Sequence, residues 1–300
     1  MPKTGPASTS DSTSNPSVRT AKRILTQTFM DAGIPYAEED ALEIILAATG
    51  FDKTALILRG ADPLNVEEYA VIESYMARRL LGEPVDHILG WREFFGRRFH
   101  ISADVLSPRA DTETLIRGAL KRLDAQAQMH VLDLGTGSGS IGLTMLAEMP
   151  QTNLTATDIS NSALAIARKN AKTLGLQKRV SFQHGEWWSA VPPKSVFDMI
   201  LSNPPYITDA AMETLDVEVL SYDPDIALRG GADGLDPYHI IIADAAAHLK
   251  SGGWLGLEIG FDQAGALKNL LEAGPWRNIR VDKDLGGLDR AVWAQNSAEN

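Results

Sequence analysis

The stretch VLDLGTGSG at residues 131–139 joins an apolar segment to three glycines at alternate positions. Residues 131–134 have the composition of a buried strand, and a helical pattern begins at about Ser140. Glycine at such a turn lets the backbone adopt positive φ and approach a ligand closely. A plain tight turn is the other interpretation. The G-x-G-x-G spacing does not match the G-x-G-x-x-G fingerprint of dinucleotide sites, so the ligand need not contain a pyrophosphate.

A second predicted strand, residues 154–157, ends at Asp158, about twenty residues beyond the glycines. A carboxylate at the end of this strand is placed to accept hydrogen bonds from both hydroxyls of a ribose. Capping of the helix that begins near Ser160 explains Asp158 equally well when it is considered alone. The glycine turn and Asp158 together favour an adenosyl ligand, and S-adenosylmethionine is the leading choice because the pyrophosphate fingerprint is missing.

Short apolar strands alternate with helical segments, for example 160–174 and 237–249, from residue 129 onward. This alternation is typical of a doubly wound, Rossmann-like α/β sheet with right-handed crossovers. The predicted sheet has seven strands, at 129–134, 153–157, 180–183, 197–202, 254–259, 277–281 and 290–294.

The tetrapeptide Asn203-Pro204-Pro205-Tyr206 directly follows the predicted strand 197–202. Ligands of open α/β sheets bind outside the carboxyl ends of the strands, so this tetrapeptide is expected to face the same crevice as the glycine turn. A rigid turn would explain the two prolines. It would not explain an Asn at the strand end with an aromatic residue three positions later.

This arrangement suits methylation of a planar nitrogen, which is a poor nucleophile because its lone pair is delocalised. The side-chain oxygen of Asn203 and the backbone carbonyl of Pro204 can accept hydrogen bonds from the two N–H groups of that nitrogen, while Tyr206 stacks on the planar group. Orientation would supply most of the rate gain, and no strong base is needed. The candidate catalytic residues are Asn203, Pro204 and Tyr206, and Pro205 joins them as a candidate substrate-binding residue.

The chain before the sheet begins with a segment of low complexity. Residues 1–17 are rich in Ser, Thr and Pro and contain no apolar run. We therefore expect a disordered tail here, and neither a signal peptide nor a membrane anchor.

Apolar residues at helical spacing continue from 18 to 86 and predict a small helical domain. Asn65 is a suitable N-cap for one of its helices, at 66–81. Aromatic and β-branched residues around two glycines then predict a β-hairpin at 87–105. This hairpin is expected to join the helical domain to the sheet domain at 106–300.

Composition narrows the class of function. With 28 Lys and Arg against 39 Asp and Glu, the formal net charge is −11, which argues against a dedicated nucleic-acid binder. The absence of cysteine excludes thiolate catalysis and Cys-based metal sites, and the six histidines are scattered, so we expect no metal. No segment has the roughly 18 apolar residues of a membrane helix. We expect a cytoplasmic monomer.

The sequence DLGTGSG, followed by Asp158, resembles the first two motifs of class I methyltransferases. The resemblance implies that Asp158 contacts the ribose of S-adenosylmethionine and that the glycine turn lies under its methionine moiety. Residues 185–188 resemble the stretch that flanks the adenine, with Glu186 in place of the common Asp. The implied cofactor-binding residues are Gly135, Thr136, Gly137, Ser138, Gly139, Asp158, Trp187 and Asn203.

From about residue 46 to 294 the chain resembles the release-factor glutamine methyltransferases, although Ala110 replaces the second Pro of the family's P-R-P-[DE]-T-E stretch. The resemblance implies methyl transfer to the N5 atom of glutamine in the Gly-Gly-Gln motif of class 1 peptide chain release factors, with the N-terminal helices binding this protein substrate. The supporting stretches are HILG 87–90, EFFG 93–96, PRADTE 108–113, DP 223–224, AL 227–228, GG 230–231, DGL 233–235, LEIG 257–260, DLGG 284–287 and DR 289–290.

Other functions remain open at this point, because glutamine and adenine both present a planar NH₂ to the tetrapeptide at 203–206. The acceptor could be a glutamine of a ribosomal protein or an adenine of nucleic acid, although no basic channel is evident for the latter. A small-molecule N-methyltransferase would have little use for the helical domain. A nucleotide-binding module without enzymatic activity would not need the tetrapeptide.

Overall fold

The computed structural model describes residues 15–124 and 126–298. These residues group into two units, one that ends at Leu89 and one that begins at Gly90. The part of the predicted disordered tail at 1–14 lies outside the described residues.

The first unit is helical, as the apolar spacing predicts. Its core contains Leu25 and Phe29 from the first helix and Ile44 and Ile45 from the second, each at most 1% exposed. Burial of these side chains stabilises helices that would be too short to persist alone. The helices are α1 Val18–Asp31, α2 Ala37–Thr49, α3 Lys53–Arg59, α4 Val66–Leu80 and α5 Val85–Leu89.

Residues 15–17 do not belong to a disordered tail, so the predicted boundary at residue 17 is wrong. Asn15 Nδ2 donates to the carbonyl of Leu64 at 3.2 Å, and Leu64 N donates to the carbonyl of Pro16 at 3.0 Å. The side chain of Ser17 caps α1 by accepting from Thr20 N. The composition of this segment is that of a tail, but its backbone groups find hydrogen-bond partners in the loop before α4.

The predicted N-cap at Asn65 is confirmed. Its Oδ1 accepts from Glu68 N at 2.8 Å, and the Glu68 carboxylate accepts from Asn65 N at 2.9 Å, which completes a capping box. Two backbone N–H groups that α4 cannot satisfy internally are therefore paired.

Asn65→Ala is expected to lower the free energy of unfolding by about 1 kcal/mol, because the amide of Glu68 loses its acceptor. Urea unfolding followed by circular dichroism measures the change. Val66→Ala is the matched control, since Val66 is 77% exposed in the same turn, and a change within about 0.5 kcal/mol is expected for it. Equal losses in the two variants would contradict the capping role.

The second unit begins with the predicted hairpin, which is shorter than expected. Strands β1 Trp91–Phe94 and β2 Arg97–His100 pair antiparallel around Phe95 and Gly96, both of which have positive φ. Residues 87–89, predicted as part of the hairpin, lie in α5 instead. Their apolar residues suit a helix as well as a strand, and a short apolar run does not distinguish the two.

The seven-stranded sheet is confirmed, in the order β5-β4-β3-β6-β7-β9-β8. The first five strands in this order are parallel, whereas β9 runs antiparallel to both of its neighbours. The strands are β3 His130–Leu134, β4 Asn153–Asp158, β5 Val180–His184, β6 Phe197–Ser202, β7 Leu249–Glu258, β8 Trp276–Lys283 and β9 Asp289–Asn296. The helices are α6 Glu113–Arg122, α7 Ser140–Glu148, α8 Asn161–Thr173, α9 Asp209–Met212, α10 Val217–Tyr222, α11 Asp236–Ala245 and α12 Ala264–Glu272.

Both faces of the sheet are buried, as a doubly wound fold requires. Val131 and Met199 pack in one apolar cluster with residues of α6 and α7, whereas Leu132 and Ile200 pack in a second with residues of α11 and α12. The alternation follows from the period of two residues in a strand. Strands buried on both faces read as continuous apolar runs, which is the pattern seen at 131–134 and 197–202.

The strand order positions the ligand crevice. From β3 the chain proceeds outward to β4 and β5, and then returns to place β6 on the other side of β3. Loops at the carboxyl ends of β3 and β6 therefore diverge and leave a crevice between them. The glycine turn follows β3 and the Asn-Pro-Pro-Tyr tetrapeptide follows β6, so the fold brings both motifs to this crevice.

Candidate active site

A cavity of about 300 Å³ lies at the carboxyl ends of β3, β4 and β6. Two of the predicted site residues, Gly139 and Tyr206, do not line it. The others line it together: Gly135, Thr136, Gly137, Ser138, Asp158, Trp187, Asn203, Pro204 and Pro205.

The glycine turn presents backbone to the cavity. Gly135 and Gly137 have φ of 69° and 55°, and no atom lies within 4 Å of the position that a Cβ of Gly137 would take. This space is open to a ligand. Gly139 has a different role, since a Cβ there would lie 2.8 Å from Leu143 Cδ1 and 3.3 Å from the Cβ of Ala167. Its missing side chain lets α7 pack closely against α8.

Asp133 holds the glycine turn from below and was not identified as a site residue from the sequence. Its side chain is 0% exposed, and Oδ2 accepts from Thr136 Oγ1 at 2.6 Å and from Gly142 N at 3.0 Å. Burial raises the pKa of Asp133 to about 6, although these two hydrogen bonds oppose the rise. The signal for its role was available, because an Asp inside an apolar strand requires a buried partner.

Asp158 bridges the glycine turn and the segment after β4. Its Oδ2 accepts from Gly137 N and its Oδ1 from Ser160 N, both at 2.8 Å. Burial raises the pKa of Asp158, and the hydrogen bonds from Ser160 and Gly137 oppose this rise. The residue that caps α8 is Ser160, whose Oγ accepts from Ala163 N at 3.1 Å. Capping is therefore not the reason for an Asp at position 158.

Trp187 and Trp188 begin a short 3₁₀ segment, Trp187–Ala190, and have different surroundings. Trp187 lines the cavity, and its Cζ3 lies 3.9 Å from the position of a Cβ on Gly135. Trp188 stacks on His248 with 4.7 Å between ring centroids and donates its indole N–H to the carbonyl of Ile240. Trp187 therefore lines the cavity and Trp188 does not, and the predicted contact of Trp187 with a cofactor stays a prediction.

Asn203 lines the same cavity as the glycine turn, and its Nδ2 atom lies 3.5 Å from Thr112 Oγ1. Thr112 ends a 3₁₀ turn, Ala110–Thr112, and is 3% exposed. Thr112 was not predicted as a site residue, because it lies 91 residues from Asn203 along the chain. Only the fold places this hydroxyl beside the amide.

Tyr206 is anchored beside the cavity. Its backbone carbonyl accepts from Gln263 Nε2 at 3.1 Å. Two glycines pass close to its backbone. A Cβ on Gly230 would lie 2.8 Å from Tyr206 Cα, and a Cβ on Gly234 would lie 2.4 Å from Tyr206 O. Burial raises the pKa of the phenol to about 12, so Tyr206 is neutral at physiological pH. Its predicted stacking on the acceptor stays a prediction.

An ion pair joins two segments that line the cavity. Arg109 Nη2 lies 2.6 Å from Asp223 Oδ2, and the Asp223 side chain is 5% exposed. Arg109 and Pro224 both line the cavity. The pair therefore connects the segment before α6 to the loop after α10. Arg109 and Asp223 are 114 residues apart in the sequence.

Asn170, on α8, connects the glycine turn to the hairpin. Its Nδ2 donates to the carbonyls of Ser138 at 2.8 Å and His100 at 2.9 Å, and its Oδ1 accepts from His100 N at 2.7 Å. The residue is 0% exposed. Both N–H donors and the oxygen of this buried amide thus bind two backbone segments.

Comparison with known proteins agrees with this geometry. Residues 112–222 match the family described as the methyltransferase small domain, and residues 21–90 match the PrmC N-terminal domain. A methyltransferase from Pyrococcus furiosus has a similar fold, with a TM-score of 0.50 and 19% identity over 75% of this chain and 100% of that chain. The fold is that of a Rossmann-like methyltransferase.

The curated relatives are more specific. A release factor glutamine methyltransferase from Cereibacter sphaeroides is 44% identical over 88% of this chain and 93% of its own length. One from Bradyrhizobium diazoefficiens is 41% identical over 95% of this chain and 97% of its own length. The chain belongs to the release factor glutamine methyltransferase family.

Two further observations concern residues 15–124 and 126–298. Their helices are all too short or too polar to span a bilayer. These residues also contain no group of three or more His, Asp or Glu side chains placed to hold a metal ion.

Proposed function

We propose that this protein transfers the methyl group of S-adenosylmethionine to the N5 atom of the glutamine in the Gly-Gly-Gln motif of class 1 peptide chain release factors. The observation that carries the proposal is the single cavity that the glycine turn and Asp158 line together with Asn203 and Pro204. The names of the curated relatives support a release factor as the substrate. Action in the cytoplasm, as a monomer, is part of the proposal and rests on the sequence.

The cavity suits S-adenosylmethionine. The backbone at Gly137 is accessible, and each oxygen of Asp158 accepts one N–H hydrogen bond and keeps a lone pair for a ribose hydroxyl. Trp187 supplies an aromatic surface for the adenine. When bound, S-adenosylmethionine supplies a methyl group activated by a sulfonium centre.

In this proposal, two oxygen atoms of this chain orient the acceptor nitrogen of the substrate glutamine. Asn203 Oδ1 and the carbonyl oxygen of Pro204 accept hydrogen bonds from the two N–H groups of the glutamine amide, and this aims the nitrogen lone pair at the methyl group. Thr112 Oγ1 accepts from Asn203 Nδ2 and thereby steadies the amide. Once alkylated, the amide nitrogen is acidic and loses a proton to water, so no protein base is required.

The proposal is tested by mass spectrometry of a release factor incubated with the protein and S-adenosylmethionine. We expect one added methyl group in the peptide that contains Gly-Gly-Gln, and none in a release factor whose glutamine is replaced. Activity should persist with a chelator, because no metal is needed. Methylation of adenine-containing DNA or RNA, or of a ribosomal protein, with no methylation of the release factor, would contradict the proposal.

The helical residues 18–86 are proposed to bind the release factor. A chain that begins at Gly90 is expected to retain cofactor binding, since every residue that lines the cavity lies between 104 and 237. Its KM for the intact release factor should rise, because a binding surface has been removed. Calorimetry with the cofactor and steady-state kinetics measure the two quantities. An unchanged KM would show that the helices do not bind the substrate.

A further inference from the structure

Glu258 is a buried acid with no role in the mechanism so far. It ends β7 and is 2% exposed, and its Oε2 atom has no hydrogen-bond partner among the described residues. Burial of an unpaired carboxyl oxygen costs stability, and an apolar side chain would avoid that cost. A role next to Asn203 at the acceptor site would explain why an acid occupies this position despite the cost in stability.

The sheet register places Glu258 next to Asn203. Strands β6 and β7 pair in parallel with Ser202 opposite Leu257, so the following residues on the two strands are Asn203 and Glu258. Thr112 and Asn203 lie close enough to the Glu258 carboxyl group for hydrogen bonding from their side chains to lower its pKa. We call Thr112, Asn203 and Glu258 the amide cluster. Thr112 and Asn203 line the cavity, and Glu258 does not.

The other ionisable side chains near Glu258 are either already ion-paired or neutral. Arg290 Nη2 lies 3.1 Å from Asp284 Oδ2 and 3.4 Å from Asp111 Oδ2, so its charge is shared. Burial raises the pKa of both Tyr206 and Tyr238, which keeps these phenols neutral. The titratable and charged groups that interact with Glu258 are Asp111 in the turn before α6, Tyr206 in the loop after β6, Tyr238 in α11 and Arg290 in β9.

We propose that Glu258 is a positioning residue that determines which end of the Asn203 amide faces the cavity, an inference that rests on the proposed function. An Asn side chain has a donor end and an acceptor end of nearly the same shape. An ionised carboxylate only accepts, so it binds the NH₂ end and leaves Oδ1 free for the substrate. A protonated Glu258 can instead donate to Oδ1 and stabilise the reversed amide, which cannot accept from the substrate nitrogen.

A dependence on pH follows from this role. Burial raises the pKa of Glu258 to about 7, against the opposing effects of Thr112 and Arg290. The carboxylate form grows as the pH rises, so kcat is expected to increase through about pH 7 and level off above it. The raised pKa also means that the folded state binds the proton of the Glu258 carboxyl group more tightly than the unfolded state does. The free energy of unfolding of wild type should therefore fall, relative to that of Glu258→Gln, as the pH rises toward 7.

The central test compares wild type with Glu258→Gln on an intact release factor across this pH range. Gln does not ionise and offers the Asn203 amide both a donor and an acceptor. We expect kcat to fall by roughly tenfold at high pH, the effect of one lost hydrogen bond to a charged group, and the step near neutral pH to disappear. Cofactor affinity, measured by calorimetry, should not change. Glu258→Asp keeps an ionisable, acceptor-only group and should retain a step.

A second pair of variants tests the same cluster without changing Glu258. Thr112→Ser keeps the hydroxyl and should retain kcat, whereas Thr112→Val removes it and should lower kcat. The Asn203 side-chain NH₂ resonances, assigned by comparison with Asn203→Asp, give a readout that is independent of activity. In wild type they should shift with pH as Glu258 ionises, and in Glu258→Gln they should not.

These outcomes separate the two proposals. If wild type does not methylate the release factor while the Asn203 resonances titrate, the proposed function fails and the interaction within the amide cluster stands. If wild type is active and Glu258→Gln retains both kcat and the pH step, the positioning role is wrong. If Glu258→Gln does not fold, two other results overturn the inference. One is an equal kcat in Thr112→Val and Thr112→Ser. The other is a set of Asn203 resonances that do not shift with pH in wild type.

Discussion

Asn203→Ala is expected to lower kcat for release-factor methylation by at least about 100-fold, because orientation of the reacting pair supplies most of the barrier reduction. The substitution removes the oxygen that accepts from the glutamine amide, while the hydrogen bonds of Asp158 to Gly137 and Ser160 remain. Cofactor affinity should therefore change little. Single-turnover kinetics and calorimetry measure the chemical step and the affinity separately.

Asn203→Asp sharpens this prediction. A carboxylate still accepts but cannot donate to Thr112 or Glu258, and it places a second negative charge beside a buried acid. Partial loss of kcat is expected. Near-native turnover in Asn203→Ala, together with no turnover in Tyr206→Ala, would move the orienting role from hydrogen bonding to stacking.

Asp158→Ala is expected to weaken S-adenosylmethionine binding by at least about tenfold, because each hydrogen bond to a charged group contributes about 1.5–3 kcal/mol. The ribose hydroxyls lose their acceptor, and the amide of Gly137 loses the carboxylate that holds the glycine turn. Calorimetry with the cofactor alone measures the loss. The acceptor side of the cavity is not changed by this substitution.

Ser160→Ala is the matched control for Asp158→Ala. It removes the cap of α8, namely the hydrogen bond from Ala163 N to Ser160 Oγ, and leaves the carboxylate in place. Stability should fall by about 1 kcal/mol with cofactor affinity unchanged. If Asp158→Ala loses stability but binds the cofactor as wild type does, the ribose assignment is wrong.

The sequence was informative wherever a functional group directly follows a strand. The glycines at 135–139, Asp158 and Asn203 each come at the end of an apolar run, and parallel strands bring such positions to one edge of a sheet. Local sequence therefore predicted the sheet, and all but two of the predicted site residues line the cavity. It could not show that Gly139 and Tyr206 lie outside the cavity lining, since that depends on how α7 and the loop at 229–235 pack.

The amide cluster was beyond prediction for a different reason. Thr112 and Glu258 approach Asn203 only because β7 pairs with β6 and because the turn before α6 reaches the same edge of the sheet. Strand order is not encoded in any short stretch. The boundary error at residues 15–17 reflects a hydrogen-bond partner, Leu64, that lies elsewhere in the chain. The error at 87–89 reflects a short apolar run that suits a helix as well as a strand.

Asn170 has a consequence for local opening of the protein. Because one buried amide binds both Ser138 and His100, an opening that displaces the Asn170 side chain breaks its hydrogen bonds to the glycine turn and to the end of β2 together. A ligand that binds the turn raises the free energy of this opening. The backbone proton of His100, which does not line the cavity, will then exchange more slowly with deuterated solvent and report on occupancy of the turn from outside the site.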